Sequence, residues 1–370
     1  MIAPVCFLTP IAHLLVLIPI GITILGLLIG SFLNVVIYRL PLSISLCSPK
    51  RSFCPACKQT LSWWENIPVI SWLLLRGECR KCHQTISFCY PLIEVITAVF
   101  FLFCYLHFGW PLALPSIIFV SLLIVATFID LKHLMIPDVI TLGGMVAGII
   151  CSIIFPAMMG VDSPSMAFLI SAGSAAAGYS LLWSVVELGK MAFGKRRLCF
   201  EQVQAFELSG KVPTIHFGEE KIPLEELLLR ASDKIFIQAA SVEIGGEKFH
   251  HQKIMIDRKG ILLADRTWVL NEALVFKAEV KEITLPREAM GFGDVKFLAC
   301  IGAFLGWKGM FFSLFAGSII GALFGSLLLL VTQGRKGRCL PFGPYLAGGA
   351  LIWMFFGLEL LSKCFHNAAL

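Results

Sequence analysis

Gly291-Phe292-Gly293-Asp294-Val295-Lys296-Phe297-Leu298 places an aspartate at the opening of a long apolar run. A second aspartate, in Phe128-Ile129-Asp130, closes another such run. An ionised carboxylate beside hydrocarbon is costly, so such residues usually face a wet cavity and act in chemistry or transport there. Two carboxylates that share protons are what aspartyl hydrolysis of a peptide bond requires. The two runs therefore predict membrane helices that carry one shared site at Asp130 and Asp294.

The composition excludes an ordinary soluble enzyme. The chain has 370 residues, of which 57% are hydrophobic, and several runs approach or exceed the about 18 apolar residues that span a bilayer. The first run, residues 11–38, contains no charged residue other than a possible His13. It lacks a basic leader and a small-residue cleavage site, so we interpret it as a retained helix and not a signal peptide.

We expect an all-α polytopic membrane protein with about eight transmembrane helices. The predicted spans are 11–37, 91–109, 113–130, 139–158, 165–187, 294–306, 309–332 and 342–360, of which the sixth is short. Lys and Arg are concentrated after the first span, in the loop that holds Lys132, and in the last internal loop with Arg335, Lys336 and Arg338. Threading eight spans puts all of these on one side, which the positive-inside rule assigns to the cytoplasm. Both aspartates then lie at cytoplasmic helix ends.

A charged segment interrupts the apolar runs. Sixteen of the thirty Lys and Arg residues and fifteen of the twenty-four Asp and Glu residues lie between Lys190 and Glu288. This nearly neutral, soluble insertion has no basic excess that would indicate nucleic acid. Strand-like alternation in 234–238, 241–244, 253–256 and 261–264, with turns at Gly245-Gly246 and 257–260, predicts a small, mainly β meander.

The domain boundaries follow from these changes of composition. We predict a first transmembrane helix at 1–37, a cytoplasmic metal-binding loop at 38–90, helices with the first aspartate at 91–187, the insertion at 188–290, and helices with the second aspartate at 291–370. The insertion contains no catalytic motif. We place His250-His251 on a turn, where adjacent histidines are more often solvated surface than metal ligands.

Four cysteines form two CxxC pairs, Cys54 with Cys57 and Cys79 with Cys82, separated by 21 residues. This spacing is typical of a four-thiolate zinc site. Two disulfides are the competing interpretation, but the predicted topology puts the loop in a reducing compartment. A closed four-cysteine site has no open coordination position, so we expect a structural role.

Helix capping is the alternative explanation for some of the aspartates. Asp294 begins a predicted helix and could act as its N-cap, although the glycines beside it would let an extended substrate approach closely. Asp138, after Pro137, is fully explained as an N-cap. Asp130 ends a helix, where the dipole disfavours an anion, so capping does not explain it. Asp162 lies in a loop and is predicted to be solvated.

Seven motifs, in order along nearly the whole chain apart from the insertion, resemble one family. They are Gly30-Ser-Phe-Leu-Asn-Val-Val-Ile-Tyr-Arg-Leu-Pro41, the two CxxC pairs around Trp64-Glu-Asn-Ile-Pro68, Tyr90-Pro-Leu-Ile-Glu94, Ile129-Asp130, Ile136-Pro-Asp138, Gly291-Phe-Gly-Asp294 and Pro341-Phe-Gly-Pro-Tyr345. The chain resembles the bacterial prepilin peptidases, or type IV leader peptidases, which are membrane aspartyl proteases related to presenilin-type enzymes through the Gly-x-Gly-Asp motif.

The resemblance implies a function and assigns residues to it. Asp130 and Asp294 would be the catalytic pair, and Cys54, Cys57, Cys79 and Cys82 the zinc site. Such enzymes lie in the bacterial inner membrane and cut the basic leader from prepilins or type II secretion pseudopilins at the cytoplasmic face. Many then N-methylate the new N-terminus with S-adenosylmethionine. The implied partners are the substrate proteins, membrane lipid and the pilus or secretion machinery. The insertion departs from the simplest members, which have a short loop there.

Two other classes of function stay open from the residues alone. An ion-coupled transporter could also use membrane carboxylates, although transporter sites tend to lie near the membrane midplane. A non-catalytic assembly scaffold would depend on the insertion. Glu65 and Glu94 could attract a basic leader or could equally be structural.

Overall fold

The computed structural model divides into two compact units, Ser184–Met290 and the remainder of the chain. The structure describes residues 8–47, 51–54, 56–193, 195–209, 214–217, 220–223, 234–244, 246–257, 260–263, 266–269, 276–286, 291–331 and 340–367. Several residues used in the sequence predictions lie outside these ranges: Gly245, Arg258, Lys259, Ala264, Glu288, Arg335, Lys336 and Arg338.

The larger unit is helical, as predicted. Its helices are α1 Leu8–Arg39, α2 Ile70–Leu74, α3 Cys89–Phe108, α4 Ala113–His133, α5 Asp138–Ile154, α6 Pro164–Phe193, α7 Phe292–Val331 and α8 Gly343–Asn367. Single 3₁₀ turns occur at Trp63–Asn66 and Pro156–Met159.

Five candidate membrane spans are present in the described residues, so the chain is a multi-pass membrane protein. They are Leu17–Arg39, Cys89–Phe108, Ala113–His133, Pro164–Gly189 and Phe292–Val331. The last is broken at Gly306, whose φ of 69° and ψ of −179° are not helical. The break falls at the boundary expected between the sixth and seventh spans. The count of eight spans stays a prediction.

Glycines bring α1 and α3 into close contact. A Cβ atom on Gly26 would lie 2.6 Å from the Cα of Ala98, and one on Gly30 would lie 2.7 Å from the Cα of Glu94. Small residues spaced four apart let membrane helices approach until their backbones touch. This packing places the end of α1 beside the beginning of α3, where Asn34 donates a hydrogen bond to the carbonyl oxygen of Tyr90 at 3.0 Å.

The first half of α7 packs against α5 and α6. A Cβ atom on Gly302 would lie 2.6 Å from the carbonyl oxygen of Ser174, and one on Gly148 would lie 2.9 Å from the Cβ of Ala303. The hydroxyl of Ser171 donates to the carbonyl oxygen of Ala303 at 2.8 Å. Hydrogen bonds between helices help to hold membrane helices together. The position of Asp294, two turns before Gly302, is therefore fixed by packing.

The smaller unit contains an eight-stranded antiparallel sheet, which confirms the mainly β prediction. Its strands are β1 Lys195–Ser209, β2 Thr214–Phe217, β3 Glu220–Pro223, β4 Ile235–Ile244, β5 Glu247–Ile256, β6 Gly260–Leu263, β7 Arg266–Val269 and β8 Phe276–Pro286. Their order in the sheet is β3-β2-β1-β8-β4-β5-β6-β7. Alternate apolar residues of β4, such as Ile235, Ile237 and Ile244, lie in the core of this unit.

Residues 235–238 and 241–244 are strand, as predicted, and belong to one strand, β4, whose pairing with β8 shifts register around Ala239. Two local predictions for this unit were wrong. The sheet is not a simple meander, because β8 lies between β1 and β4. His250 lies in β5, opposite Ser241, and not on a turn. The first and last strands along the chain, β1 and β8, are neighbours in the sheet, with Lys195 opposite Pro286. The chain therefore enters and leaves the sheet at the same end, which suits an insertion between two helices.

Candidate functional site

The carboxylate of Asp130 lies at the N-terminus of another helix. Asp130 is in the last turn of α4, and the C-cap residue Leu134 has the left-handed conformation, with φ of 54°. Its side chain is only 4% exposed, and the N–H of Gly343, the first residue of α8, donates to its Oδ2 at 2.9 Å. A helix N-terminus carries unpaired N–H groups and partial positive charge. The dipole of α4 disfavours this anion, and the N-terminus of α8 stabilises it.

Gly343 has no room for a side chain. A Cβ atom there would lie 2.7 Å from Oδ2 of Asp130 and 2.9 Å from Cδ1 of Ile136. The segment 341–345 contributed to the family resemblance, but no role was predicted for its residues. The available signal was the glycine between two prolines, which is typical of a backbone that approaches another group closely.

Asp294 is the third residue of α7 and is also buried, at 8% exposed. Its N–H donates to the carbonyl oxygen of Gly291 at 3.2 Å, as in a first helical turn. No described residue donates a hydrogen bond to its carboxylate. The N-cap alternative is therefore wrong, because the carboxylate does not pair with an N–H of its own helix.

The two glycines before Asp294 have different surroundings. A Cβ atom on Gly293 would lie 3.2 Å from the carbonyl oxygen of Ile136, so this glycine accommodates the protein's own backbone and not a substrate. Gly291 is exposed, and among the described atoms a Cβ there would approach only the Asp294 carboxylate, at 3.4 Å. The space that was predicted beside Asp294 is therefore found at Gly291.

The fold brings the two aspartates into one site. Their carboxylates are close enough to interact electrostatically. Ile136, which is 6% exposed, contacts both Gly293 and Gly343. Gly293 precedes Asp294, and Gly343 donates the hydrogen bond to Asp130, so Ile136 packs between the two segments that form the site. Two carboxylates that repel each other do not ionise together readily, so one of this pair would keep a proton and could act as a general acid while the other acts as a general base.

An ion pair joins the two helices that begin beside this site. Nζ of Lys296 lies 2.6 Å from Oδ1 of Asp138 and 5.1 Å from the ring centre of Phe292. Pro137 is the N-cap of α5 and Asp138 is its first residue, with a carboxylate that accepts a hydrogen bond from Lys296, so the predicted capping role of Asp138 was wrong. The pair connects the start of α5 to the second turn of α7, two residues after Asp294.

The four cysteines converge as predicted. Their Sγ atoms all lie within 4.8 Å of one another, and Sγ of Cys54 is 3.8 Å from Sγ of Cys82. Four thiolates at about 2.3 Å from a central zinc ion lie about 3.8 Å from one another, so the group fits a tetrahedral ion. All four are free thiols, which favours a metal site over the two disulfides. No other metal-binding group of His, Cys, Asp or Glu occurs in the described residues.

The two CxxC segments have the same local structure. In each, the N–H of the first cysteine, Cys54 or Cys79, donates to the carbonyl five residues later. The residue four positions later, Lys58 or His83, has a positive φ and donates back to the carbonyl of that cysteine. The backbone N–H groups of Cys82 and Lys81 lower the pKa of the Cys79 thiol to about 6. A thiolate, which a metal ion requires, is therefore available at neutral pH.

Glu65 and Glu94 both accept backbone hydrogen bonds. Oε2 of Glu65 accepts from the N–H of Ser62 at 2.6 Å, within a capping box. Oε2 of Glu94 accepts from the N–H of Val69 at 2.7 Å. Glu65 therefore has a structural role, which was one of its two predicted roles. Glu94 also has a structural contact, but it differs from Glu65 in being buried, at 8% exposed.

Two family sequence models match the chain. The model of the bacterial peptidase A24 N-terminal domain matches residues 24–108, which include the four cysteines. The model of the type IV leader peptidase family matches residues 117–198 and 262–326, which include both aspartates. This chain belongs to the type IV leader peptidase family. The family predicted from the motifs is confirmed, and the gap in the match at 199–261 lies inside the insertion of this type IV leader peptidase.

Relatives of this type IV leader peptidase are named prepilin leader peptidase/N-methyltransferase. The protein from Myxococcus xanthus is 49% identical over 141 residues, which cover 38% of this chain and 41% of that relative. The protein from Aeromonas salmonicida strain A449 is 27% identical over 358 residues, which cover 90% of this chain and 88% of the relative. The protein from Pseudomonas putida is 28% identical over 366 residues, which cover 92% and 91%. No solved structure matches this chain.

Proposed function

We propose that this chain is a prepilin leader peptidase, an aspartic endopeptidase that removes the basic leader from type IV prepilins or type II secretion pseudopilins. The observation that carries the proposal is that two buried carboxylates, Asp130 and Asp294, meet in a member of the type IV leader peptidase family. The names of the curated relatives support the same reaction here.

The different surroundings of the two carboxylates support a different role for each aspartate. Asp130 is the ionised member, because the N–H of Gly343 and the N-terminus of α8 stabilise its negative charge. Asp294 holds the proton, because a second anion beside Asp130 would be repelled. Asp130 takes a proton from the attacking water. Asp294 polarises the scissile carbonyl and then protonates the leaving amine.

The site faces the cytoplasm of a bacterial cell, with the protein in the inner membrane. The basic residues around the four-cysteine loop and Lys132 support this orientation under the positive-inside rule. Both aspartates lie at ends of their candidate spans, where water can reach them. The substrate's apolar helix would lie in the bilayer and its basic leader in the cytoplasm. The protein would act beside the pilus or type II secretion machinery.

Cys54, Cys57, Cys79 and Cys82 would hold a structural zinc ion. The ion would close the loop between the two pairs and order the segment between them. The relatives' name supports a second activity, N-methylation of the new N-terminus, for which S-adenosylmethionine supplies the methyl group.

Replacing either aspartate by asparagine removes the shared proton without changing side-chain size. We expect Asp130→Asn and Asp294→Asn each to lower the rate of leader removal by about 10²–10⁴-fold. The measurement is product mass after incubation of a prepilin with the purified protein in vesicles. Asp162→Asn, at an exposed loop residue, is the matched control and should cleave at the wild-type rate. Wild-type cleavage by either site variant would overturn the assignment.

Metal content tests the four-cysteine site. We expect one zinc ion per chain in elemental analysis and little or none in Cys79→Ser, because three thiolates bind the ion less tightly than four. Thermal stability should fall with the zinc content, since the ion orders the loop. Cys47→Ser, at an exposed free thiol of the same region, should keep the ion. Full zinc content in Cys79→Ser would contradict the assignment.

Lys296 is proposed as a positioning residue that orients Asp294 through its ion pair with Asp138. We expect Lys296→Met to lower kcat by about 10- to 10²-fold, because small misplacements of catalytic groups are costly. KM and the thermal midpoint should barely change. Asp138 is 61% exposed, and exposed ion pairs stabilise a fold by at most about 1 kcal/mol.

Two further variants separate positioning from general effects. Lys296→Arg keeps the charge and should recover part of kcat. Lys308→Met removes a lysine that lies over the ring of Trp307 on the same helix and should leave kcat unchanged. An equal loss of kcat in Lys308→Met, or none in Lys296→Met, would show that the ion pair does not position the site.

A further inference from the structure

A cavity of about 750 Å³ lies between the four-cysteine loop, the end of α1 and the beginning of α3. Small-molecule pockets in proteins have volumes of about 300–1,000 Å³. The mechanism of leader removal uses none of the residues that line this cavity. Its lining includes two acidic side chains, Glu65 and Glu94, and basic side chains such as Arg80 and Lys132.

Two buried polar side chains that line the cavity have oxygen atoms available to accept hydrogen bonds from a ligand. Asn34 is 7% exposed, and its amide nitrogen donates to Tyr90. No described residue donates to its amide oxygen. Glu94 is 8% exposed and accepts hydrogen bonds from Val69 and Ser31. Within the described residues, no lysine or arginine forms an ion pair with Glu94. A buried carboxylate without a cation favours a ligand that brings positive charge.

The backbone that contacts Glu94 is strained. Val69, whose N–H donates to Glu94, has a φ of 60°, a conformation that β-branched residues rarely adopt. Strained residues of this kind occur at ligand-binding and active sites. The contact holds the four-cysteine loop over the buried carboxylate, so the loop, α1 and α3 close around one space.

The lining matches a sulfonium nucleoside amino acid. Such a ligand carries a positive charge on sulfur, a purine and an amino-acid carboxylate. Glu94 and the amide oxygen of Asn34 suit the cationic groups, the ring of Tyr90 suits the purine, and the side chains of Arg80 and Lys132 suit the carboxylate. A peptide leader would be a poorer occupant, because its several lysines would meet Arg80 and Lys132.

We propose that this cavity binds S-adenosylmethionine and that Glu94 holds its cationic part. The proposal rests on the proposed function, because it locates the methyltransferase half of that function. Lys132 lines the cavity and follows Asp130 by two residues, about 3 Å along the axis of α4. The cavity and the aspartates therefore lie at a similar level along α4 but on different faces of that helix, so the N-terminus released at the aspartates has to move around α4 to reach the cavity. The neutral amine, after losing a proton to water, forms the N–CH₃ bond as the S–CH₃ bond breaks, and S-adenosylhomocysteine leaves.

The test measures binding separately from both activities. Equilibrium dialysis of the full-length protein with labelled S-adenosylmethionine should give one site per chain. Glu94→Gln keeps the acceptor for Val69 but removes the charge, and it should weaken binding at least about tenfold. Glu78→Gln, in the same loop but outside the cavity, should bind as wild type does. Asp130→Asn should also bind normally, because it does not line the cavity.

A second variant tests the same cavity in case Glu94→Gln fails to fold. Thr85 is exposed and lines the cavity, so Thr85→Trp should obstruct the cavity without disturbing buried groups, again weakening binding at least about tenfold. Both variants should retain zinc and leader removal while their products lose the added methyl mass. Wild-type affinity in both variants would overturn the proposal. Absence of leader removal by wild type would instead count against the protease assignment, and the binding result would stand separately.

Discussion

A buried carboxylate held at the N-terminus of a second helix is the interaction on which this site depends. The hydrogen bond from Gly343 to Asp130 joins the end of α4 to the beginning of α8 across 213 residues of sequence. It stabilises a negative charge at the end of a membrane helix, where the dipole of α4 alone would oppose it. Ile136 packs against both Gly343 and Gly293, so the same contact region sets where Asp294 approaches. Catalysis by a carboxylate pair requires this arrangement before a substrate arrives.

The composition predicted the class of fold because the physical demands on a membrane helix are visible locally. A run of apolar residues long enough to span, and charges confined to its ends, can be recognised without knowing any contact. The same holds for the four cysteines, since ligand spacing within a tight turn is local. The alternating pattern of Ile235 and Ile237 likewise indicated a strand with one buried face.

The contacts between distant segments could not be predicted in this way. Gly343, Ile136 and Lys296 take their roles from neighbours far away in sequence, and no periodicity encodes a partner. Asp138 and Asp294 were open to the same local explanation, capping. The structure excludes it for both, because α5 begins at Asp138 and α7 at Phe292, so neither aspartate occupies the N-cap position. Asp138 instead pairs with Lys296 on another helix. The break at Gly306 was expected only as a boundary between spans, because a glycine alone does not predict its φ.

One helix connects the two chemical regions of the membrane unit. Asp130 and Lys132 lie on the same turn of α4, one in the carboxylate pair and the other at the cavity under the four-cysteine loop. The loop itself is held by Glu94 and by the paired CxxC turns. A protein that cuts a chain and then modifies the new end gains from having both regions on one helix, because the new end moves only a short way between them.

The pH dependence of kcat/KM for leader removal tests the central claim, that Asp130 and Asp294 act as a pair with one proton between them. One proton held between the two carboxylates predicts a bell-shaped profile, because activity is lost when both carboxylates are protonated and again when both are ionised. Activity that falls only towards acid pH and stays constant towards alkaline pH in a folded protein would contradict the shared proton.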